Sequence, residues 1–292
     1  AVSLLLNYRQ LAKLKSTYAD GLQDCIAEDG RIHSTFNQTE ARTGRISSLE
    51  PNLQNIPVRT AEGRRLREYF NAPAGRVLCD ADYSQIELRV LASMSGDANM
   101  INAFGSGTDI HTVTASQVFG LPQDMITPEL RSRAKAVNFG IVYGIGAFSL
   151  SKDIGVTRAE ADRYIKSYLA AYPDVAAYME KAIEDAKKNG YVTTLYGRRR
   201  YIPELSNSNG NMRAFGERVA RNAPIQGTAA DIIKIAMIKV SHSLKDEFPT
   251  ARLILQVHDE LIVECDEKDA EDICTLLERE MENAADLAVR LT

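Results

Sequence analysis

Apolar residues recur at three- and four-residue spacing from the start of the chain. Leu4, Tyr8, Leu11, Leu14, Tyr18, Leu22 and Ile26 form one stripe and predict a long amphipathic helix. The chain opens inside that helix without a cap or an initiator Met, and is read as a piece of a longer protein. From Asp29 to Pro57 it is polar with short strand-like pieces. Val77-Leu78-Cys79 then leads into Asp80-Ala81-Asp82, which predicts a buried strand ending in acids. Ser84 and Glu87, before Leu88, Val90 and Leu91, predict a capping box at a helix start. Arg131 to Tyr143 is helical in pattern and ends at Gly144. Thr157 and Glu160 make a second capping box, for a helix that stops near Pro173. A further helix runs to Lys188 and closes at Asn189-Gly190. Tyr191 to Tyr196 is strand-like and Ile232 to Leu244 is helical. Two strands, 253–257 and 261–265, are joined by a tight turn at His258-Asp259-Glu260. Asp266 begins a last amphipathic helix through Ile273, Leu277, Met281 and Ala284. The predicted class is α+β, with strands at the acidic points and a helical block between them.

The composition of the 292 residues, 45% hydrophobic and 25% charged, is that of a globular protein. No apolar run approaches the ~18 residues of a membrane span, and no export signal is visible. Cys25, Cys79, Cys265 and Cys274 are expected to stand alone. No C-x-x-C or H-x-x-x-H occurs, which argues against a zinc site or disulfide framework and fits reduced thiols in a cytoplasm. The net charge of -4 argues against a general nucleic-acid binder. The cations nevertheless cluster: Arg59, Arg64, Arg65 and Arg67; Arg131, Arg133 and Lys135; Arg198, Arg199 and Arg200; Arg213, Arg218 and Arg221. Any one cluster is well explained as a solvated face. Four of them beside chemically loaded segments favour a polyanion partner.

Two carboxylates are candidates for chemistry, Asp82 at a strand end and Asp259 at a hairpin tip. Hard oxygen ligands held in such places suit Mg²⁺. Asp is also a common turn residue. For Asp259 alone that plainer reading is preferred, and Glu260 beside it is weaker still. Arg131, Lys135 and Phe139 fall at i, i+4 and i+8, with Tyr143 continuing the face. They could grip a triphosphate and stack on a base. On spacing alone an amphipathic helix with solvated cations accounts for them slightly better. Glu87 is explained by its capping box. Gly144-Ile145-Gly146 lacks the third glycine of a dinucleotide fingerprint and no P-loop occurs. A metal-dependent nuclease would use the paired carboxylates but leave the Arg131–Tyr143 face unexplained. A non-catalytic nucleic-acid-binding module is a third reading.

Taken together the segments resemble the DNA polymerase I family (family A) of bacteria. Asp82-Tyr-Ser-Gln-Ile-Glu-Leu-Arg89 is similar to its first palm motif, Arg131-Ser-Arg-Ala-Lys-Ala-Val-Asn-Phe-Gly-Ile-Val-Tyr-Gly144 to its fingers helix, and Val257-His-Asp-Glu260 to its second palm motif. Thr43-Gly-Arg-Ile-Ser-Ser48, Pro51-Asn-Leu-Gln-Asn-Ile-Pro57, Thr194-Leu-Tyr-Gly-Arg-Arg-Arg200 and Asn222-Ala-Pro-Ile-Gln-Gly-Thr-Ala-Ala-Asp231 match as well, in order over nearly the whole chain. The resemblance implies a right-hand polymerase core, an antiparallel-sheet palm with a helical fingers subdomain, truncated at both ends. Residues 1–28 would be a thumb remnant, 29–90 and 207–292 the palm, and 91–206 the fingers.

It also implies a DNA-directed DNA polymerase, a nucleotidyltransferase of DNA replication and repair. The primer 3′-hydroxyl would attack a bound dNTP and release pyrophosphate. Asp82 and Asp259 would hold two Mg²⁺ ions with Glu260 in support. Arg131, Lys135 and His111 would meet the triphosphate, and Lys135 would protonate the leaving pyrophosphate. Phe139 would pack on the incoming sugar and base, a Phe there implying discrimination against dideoxynucleotides. Glu87 would exclude a ribose 2′-hydroxyl, Tyr143 would sit by the templating base, and Gln85 would join the dNTP contacts. Arg45, Gln226, Asn222, Arg218 and His258 would hold primer–template DNA. The expected partners are primer–template DNA and dNTPs, with no membrane, for a cytoplasmic monomer. The alternative implied by the truncation is a chain that binds DNA weakly and salt-dependently, without turnover.

Overall fold

A computed structural model of the chain describes residues 2–57 and 60–292. Arg59 of the first basic cluster lies outside the described residues. The strands are β1 (Thr35–Asn37), β2 (Ser47–Leu49), β3 (Arg76–Asp82), β4 (Tyr191–Thr193), β5 (Arg199–Tyr201), β6 (Arg252–Val257) and β7 (Glu260–Asp266). The helices are α1 (Val2–Lys13), α2 (Gly21–Gln23), α3 (Ala61–Arg67), α4 (Ile86–Ser95), α5 (Ala98–Gly105), α6 (Ile110–Phe119), α7 (Pro128–Val142), α8 (Ala147–Ile154), α9 (Arg158–Ala171), α10 (Pro173–Asn189), α11 (Gly210–Glu247) and α12 (Ala270–Glu282). Two compact units result, Ala1–Asp82 with Met237–Glu280 and Tyr83–Ala236 with Met281–Thr292. None of the described helices is long and apolar enough to cross a membrane.

The first unit is organised by an antiparallel sheet of order β3-β7-β6. Central β7 buries Leu261, Val263 and Cys265 at alternate positions, the period-two signature of a strand with one face against a core. Ile273, Leu276 and Leu277 of α12 are buried in turn. The buried Glu264 does not stand unpaired. Arg31 Nη2 donates to Oε2 at 2.5 Å and Arg76 Nε donates to Oε1 at 2.9 Å. Edge strand β3 departs from the buried strand predicted for it. Only Cys79 is buried and Leu78 is 38% exposed, because an edge strand has one face and one side open. The amphipathic helix predicted over Leu4–Ile26 is present as α1, a π-helical stretch Leu14–Asp20 and α2, but none of its residues is buried. Asp266, expected to start the last helix, is instead the final residue of β7. A 3₁₀ turn, Glu267–Asp269, separates it from α12.

The second unit is a helical assembly whose core includes Leu88, Leu91, Met100, Val137, Leu150, Tyr168, Tyr172, Ile225 and Ile232. The Thr157–Glu160 capping box forms as expected, each side chain accepting the other's backbone N–H at 2.9–3.2 Å. The Ser84–Glu87 box does not form. After Asp82 the chain turns through Gln85 in the left-handed conformation (φ 55°), so Gln85 and not Ser84 precedes the helix, with no side-chain cap. The helix predicted over Ile232–Leu244 is the last part of the 38-residue α11, which carries Pro224 inside it. The proline and the small and polar residues before Ile232 concealed that length. The strand at Tyr191 is short and pairs with β5, an unpredicted partner, in the register Tyr191↔Tyr201.

One side chain in this unit has a disproportionate structural role. Asp97 is fully buried. Its Oδ1 accepts the Met100 N–H at 2.9 Å, capping α5, and its Oδ2 accepts the N–H groups of Asp174 and Val175 at 3.0 and 3.3 Å. A single carboxylate thus faces the N-termini of α5 and α10, where orphan donors and helix dipoles both favour negative charge.

Candidate active site

The acids of the first unit are placed by strand register. Asp82 pairs directly with Glu260 across β3 and β7, and Asp259 precedes Glu260 in the β6–β7 turn. That turn is tight because His258 adopts φ 54°, which leaves its side chain exposed. Loss of hydration, then the charges of Asp259 and Asp80, raise the pKa of Asp82 against the opposing His258. Burial likewise raises Asp259, with Arg45 and His258 opposing. Glu260 is pushed up to about 7 by burial first and then by its hydrogen bond to Asp80 and that group's charge. Four carboxyl groups of one strand pair therefore repel one another, and the local field calls for a cation. Asp80, unassigned from the sequence although it stands in Asp80-Ala81-Asp82, proves to be the group that, after burial, most raises the pKa of Glu260.

Among the described residues no three His, Cys, Asp or Glu side chains form a preassembled metal cage. Asp82 and Asp259 offer two hard oxygen donors instead. That set fits Mg²⁺, which keeps waters and completes its shell with substrate phosphates.

The second unit carries the cationic helix. Arg131, Lys135, Phe139 and Tyr143 follow one face of α7 and its C-terminal cap, as the spacing predicts. Arg131 is engaged in a two-point pair with Asp109, Nε to Oδ2 at 2.9 Å and Nη2 to Oδ1 at 2.8 Å. Burial opposes ionisation of Asp109, but Arg131 and Thr112 hold its carboxyl at about 2. Both partners are well exposed, so the pair is weak and exchangeable. Lys135 is exposed, its ammonium 5.8 Å from the centre of the Phe139 ring.

His111 is enclosed, at 1% exposure, with its ring 5.9 Å from that of Phe139. Nδ1 lies 3.0 Å from Asn138 Nδ2, while Nε2 is buried with no hydrogen-bond partner. The amide donating to Nδ1 assigns the ring proton to Nε2. Burial first, then Lys135 and Arg131, lower the His111 pKa to about 4 against the pull of Asp109, so the ring is neutral. His111 is thus enclosed, and its burial favours the neutral ring. Asn138, inside a quoted motif but unassigned from sequence, is its partner. It is fully buried and also hydrogen-bonds Thr114 Oγ1 at 3.1 Å.

Arg218, Asn222 and Gln226 follow one another at four-residue intervals and form one stripe of α11. Asn222 Oδ1 is buried without a partner. Gly144, with φ 65°, brings the end of α7 against this stripe. A Cβ there would lie 3.2 Å from Arg218 Cγ. Gln85 Oε1 is also buried and unpaired, and Glu87 is buried at 5% exposure. Arg45 is half-buried in the first unit, near enough to Asp259 to lower its pKa. Not every clustered cation is available for a polyanion: Arg198 makes two short hydrogen bonds, 2.8 and 2.6 Å, to the buried Asp231.

The POL domain of Pol1 from M. smegmatis, solved in complex with DNA primer-template and dNTP, superposes with a TM-score of 0.94 at 48% identity, over 99% of this chain and 51% of that one. The fold, with its mixture of helices and antiparallel sheet, is that of a right-hand polymerase core fragment. The family model of DNA polymerase family A matches residues 1–292, and the chain belongs to that family. The DNA polymerase I of Bacillus subtilis is 52% identical over 293 residues, 99% of this chain and 33% of the relative. That of Pseudomonas aeruginosa is 50% identical over 289 residues, 99% of this chain and 32% of the relative. The chain therefore spans about a third of the length of the curated relatives it matches.

Proposed function

We propose that the chain carries the active site of a template-directed DNA polymerase that extends a primer 3′-hydroxyl with dNTPs and releases pyrophosphate. The observation that carries this reading is the register that sets Asp82 opposite Glu260 with Asp259 adjacent, in a chain that matches family A from end to end. Residues 29–90 and 207–292 are assigned to the palm, 91–206 to the fingers and 1–28 to the thumb.

Asp82 and Asp259 would hold two Mg²⁺ ions, supported by Glu260. Bound there, the ions would supply activation of the primer hydroxyl and charge neutralisation at the phosphates. The remaining work belongs to side chains. Arg131 would exchange its exposed pairing with Asp109 for a phosphate of the dNTP, and Lys135 would bind the triphosphate and give a proton to the leaving pyrophosphate. Fixed cations facing the charge that develops on phosphoryl oxygens stabilise the transition state more than the ground state. His111 Nε2–H, neutral and lacking an internal partner, would add a donor without adding charge.

Phe139 would pack on the sugar and base, Glu87 would exclude the 2′-hydroxyl, and Tyr143 and Gln85 would line the nucleotide site. The Arg218–Asn222–Gln226 stripe, with Arg45 and His258, would contact primer and template. Minor-groove acceptors are nearly the same for every base pair, so such contacts test pair shape and not sequence. The protein is proposed to act as a cytoplasmic monomer.

The test is extension of a labelled primer–template at low salt with Mg²⁺ and dNTPs, beside Asp82→Ala. Templated extension by the intact chain, abolished in the variant, is expected. A chain that melts cooperatively and binds DNA but extends no primer would overturn the catalytic reading and leave a binding-only protein.

A further inference from the structure

The strands that present Asp82 and Glu260 also carry two cysteines, free as the sequence suggested but neighbours in space. Cys79 and Cys265 are both buried, and their sulfurs lie 3.5 Å apart. In the β3–β7 register Cys79 faces Val263 and Cys265 faces Val77, so the two thiols are diagonal neighbours on one sheet face. Cys79 Sγ also lies 3.6 Å from the Ala270 carbonyl oxygen, in the first turn of α12. One helical turn on is Cys274, which is exposed. Cys274 is near enough to both Cys79 and Cys265 to help raise the pKa of each. Three of the four cysteines of the chain thus converge, two inside and one at the surface, while Cys25 donates elsewhere, to the Gly21 carbonyl.

We propose that Cys274, Cys79 and Cys265 form a thiol-oxidation site at which a peroxide links the exposed Cys274 to the buried Cys79. The Cys274 thiolate attacks one peroxide oxygen, the O–O bond breaks, and the leaving hydroxide takes a proton to become water. The product at Cys274 is a sulfenic acid. The Cys79 sulfur then attacks the Cys274 sulfur, the S–O bond breaks, and a second water leaves with the Cys79 proton. The two thiols lose two electrons to the peroxide. Burial, then the neighbouring thiols, raise the pKa of Cys79 and keep it protonated. Oxidation therefore starts at the exposed sulfur. Cys265 can take over the bond by thiol–disulfide exchange across the 3.5 Å contact. The link would tie α12 to the strand that ends in Asp82.

The purified chain is treated with hydrogen peroxide in native buffer, alkylated, and read by intact mass and peptide mapping. The expected result is loss of two hydrogens, two thiols left to alkylate, and a Cys79–Cys274 or Cys79–Cys265 link. The link should vanish in Cys274→Ser and persist in Cys25→Ser. Both substituted side chains lie outside the buried core, so these variants should fold. Cys274 oxidised without any link, a link through Cys25, an undiminished link in Cys274→Ser, or equal linking in denaturant would each overturn the proposal.

Discussion

Replacing Glu260 by Gln should stabilise the protein at alkaline pH and leave it almost unchanged in mild acid. Burial first, and then the neighbouring carboxyl of Asp80, raise the pKa of Glu260 from 4.5 to about 7. Between those two values the folded state holds a proton that the unfolded state has released. Stability from this group is therefore present at low pH and lost as pH rises through the window. The shift corresponds to about 3 kcal/mol at ~1.36 kcal/mol per unit, and solvent screening of a partly exposed pair reduces that to roughly 1–2 kcal/mol. Gln has the shape of the protonated acid and can donate its amide hydrogen to Asp80, but it cannot ionise. Denaturation midpoints in EDTA, so that no divalent ion compensates the acids, should show Glu260→Gln more stable by about 1–2 kcal/mol at pH 8 and within ~0.5 kcal/mol of the parent at pH 5. A variant no more stable than the parent at pH 8, or equally stabilised at both pH values, would show that the pKa of Glu260 is not raised in the folded state.

Asp97→Ala removes the acceptor for three backbone N–H groups at two helix starts. It should cost roughly 2–4 kcal/mol, read by chemical denaturation, with Asp97→Asn milder because one capping oxygen survives. Gly140→Ala opposes two effects. Helix propensity favours Ala by ~1 kcal/mol, but the added Cβ would lie 2.4 Å from Ile145 Cγ2, a stiff branched side chain, and overpacking of about 1–3 kcal/mol should win. A lower melting temperature is expected, and a raised one would refute the close approach. Asn138→Asp should place an anion on His111 Nδ1, move the proton to that nitrogen and raise the His111 pKa from about 4 toward its ordinary range. ¹⁵N chemical shifts across a pH series report both changes, and an unmoved pKa would show that Asn138 does not set the tautomer.

What could be read from the sequence, and what could not, divides along a physical line. The β6–β7 hairpin, the capping box at Thr157 and the cationic face of α7 are encoded locally, by period-two alternation, by a three-residue cap spacing and by four-residue steps. The site residues inside the motifs are named through the family resemblance that those motifs carry, not through spacing. Features created by register or by a second element left no local trace. Asp80 and Glu260 are 180 positions apart, and Asp80 raises the pKa of Glu260 only because β3 pairs with β7. Asp97 is an ordinary cap for α5, and nothing near it in sequence announces that its other oxygen receives α10. Ser84 and Glu87 had the right spacing for a box, yet a left-handed Gln85 moved the helix start by one residue. The enclosure of His111 left no trace near it in sequence, because Asn138 and Phe139, which lie against it, belong to another helix. A local pattern fixes which side chains share a face. Only pairing between distant elements fixes which of them are charged, enclosed or coupled, and those properties decide whether a carboxylate holds a cation or a proton.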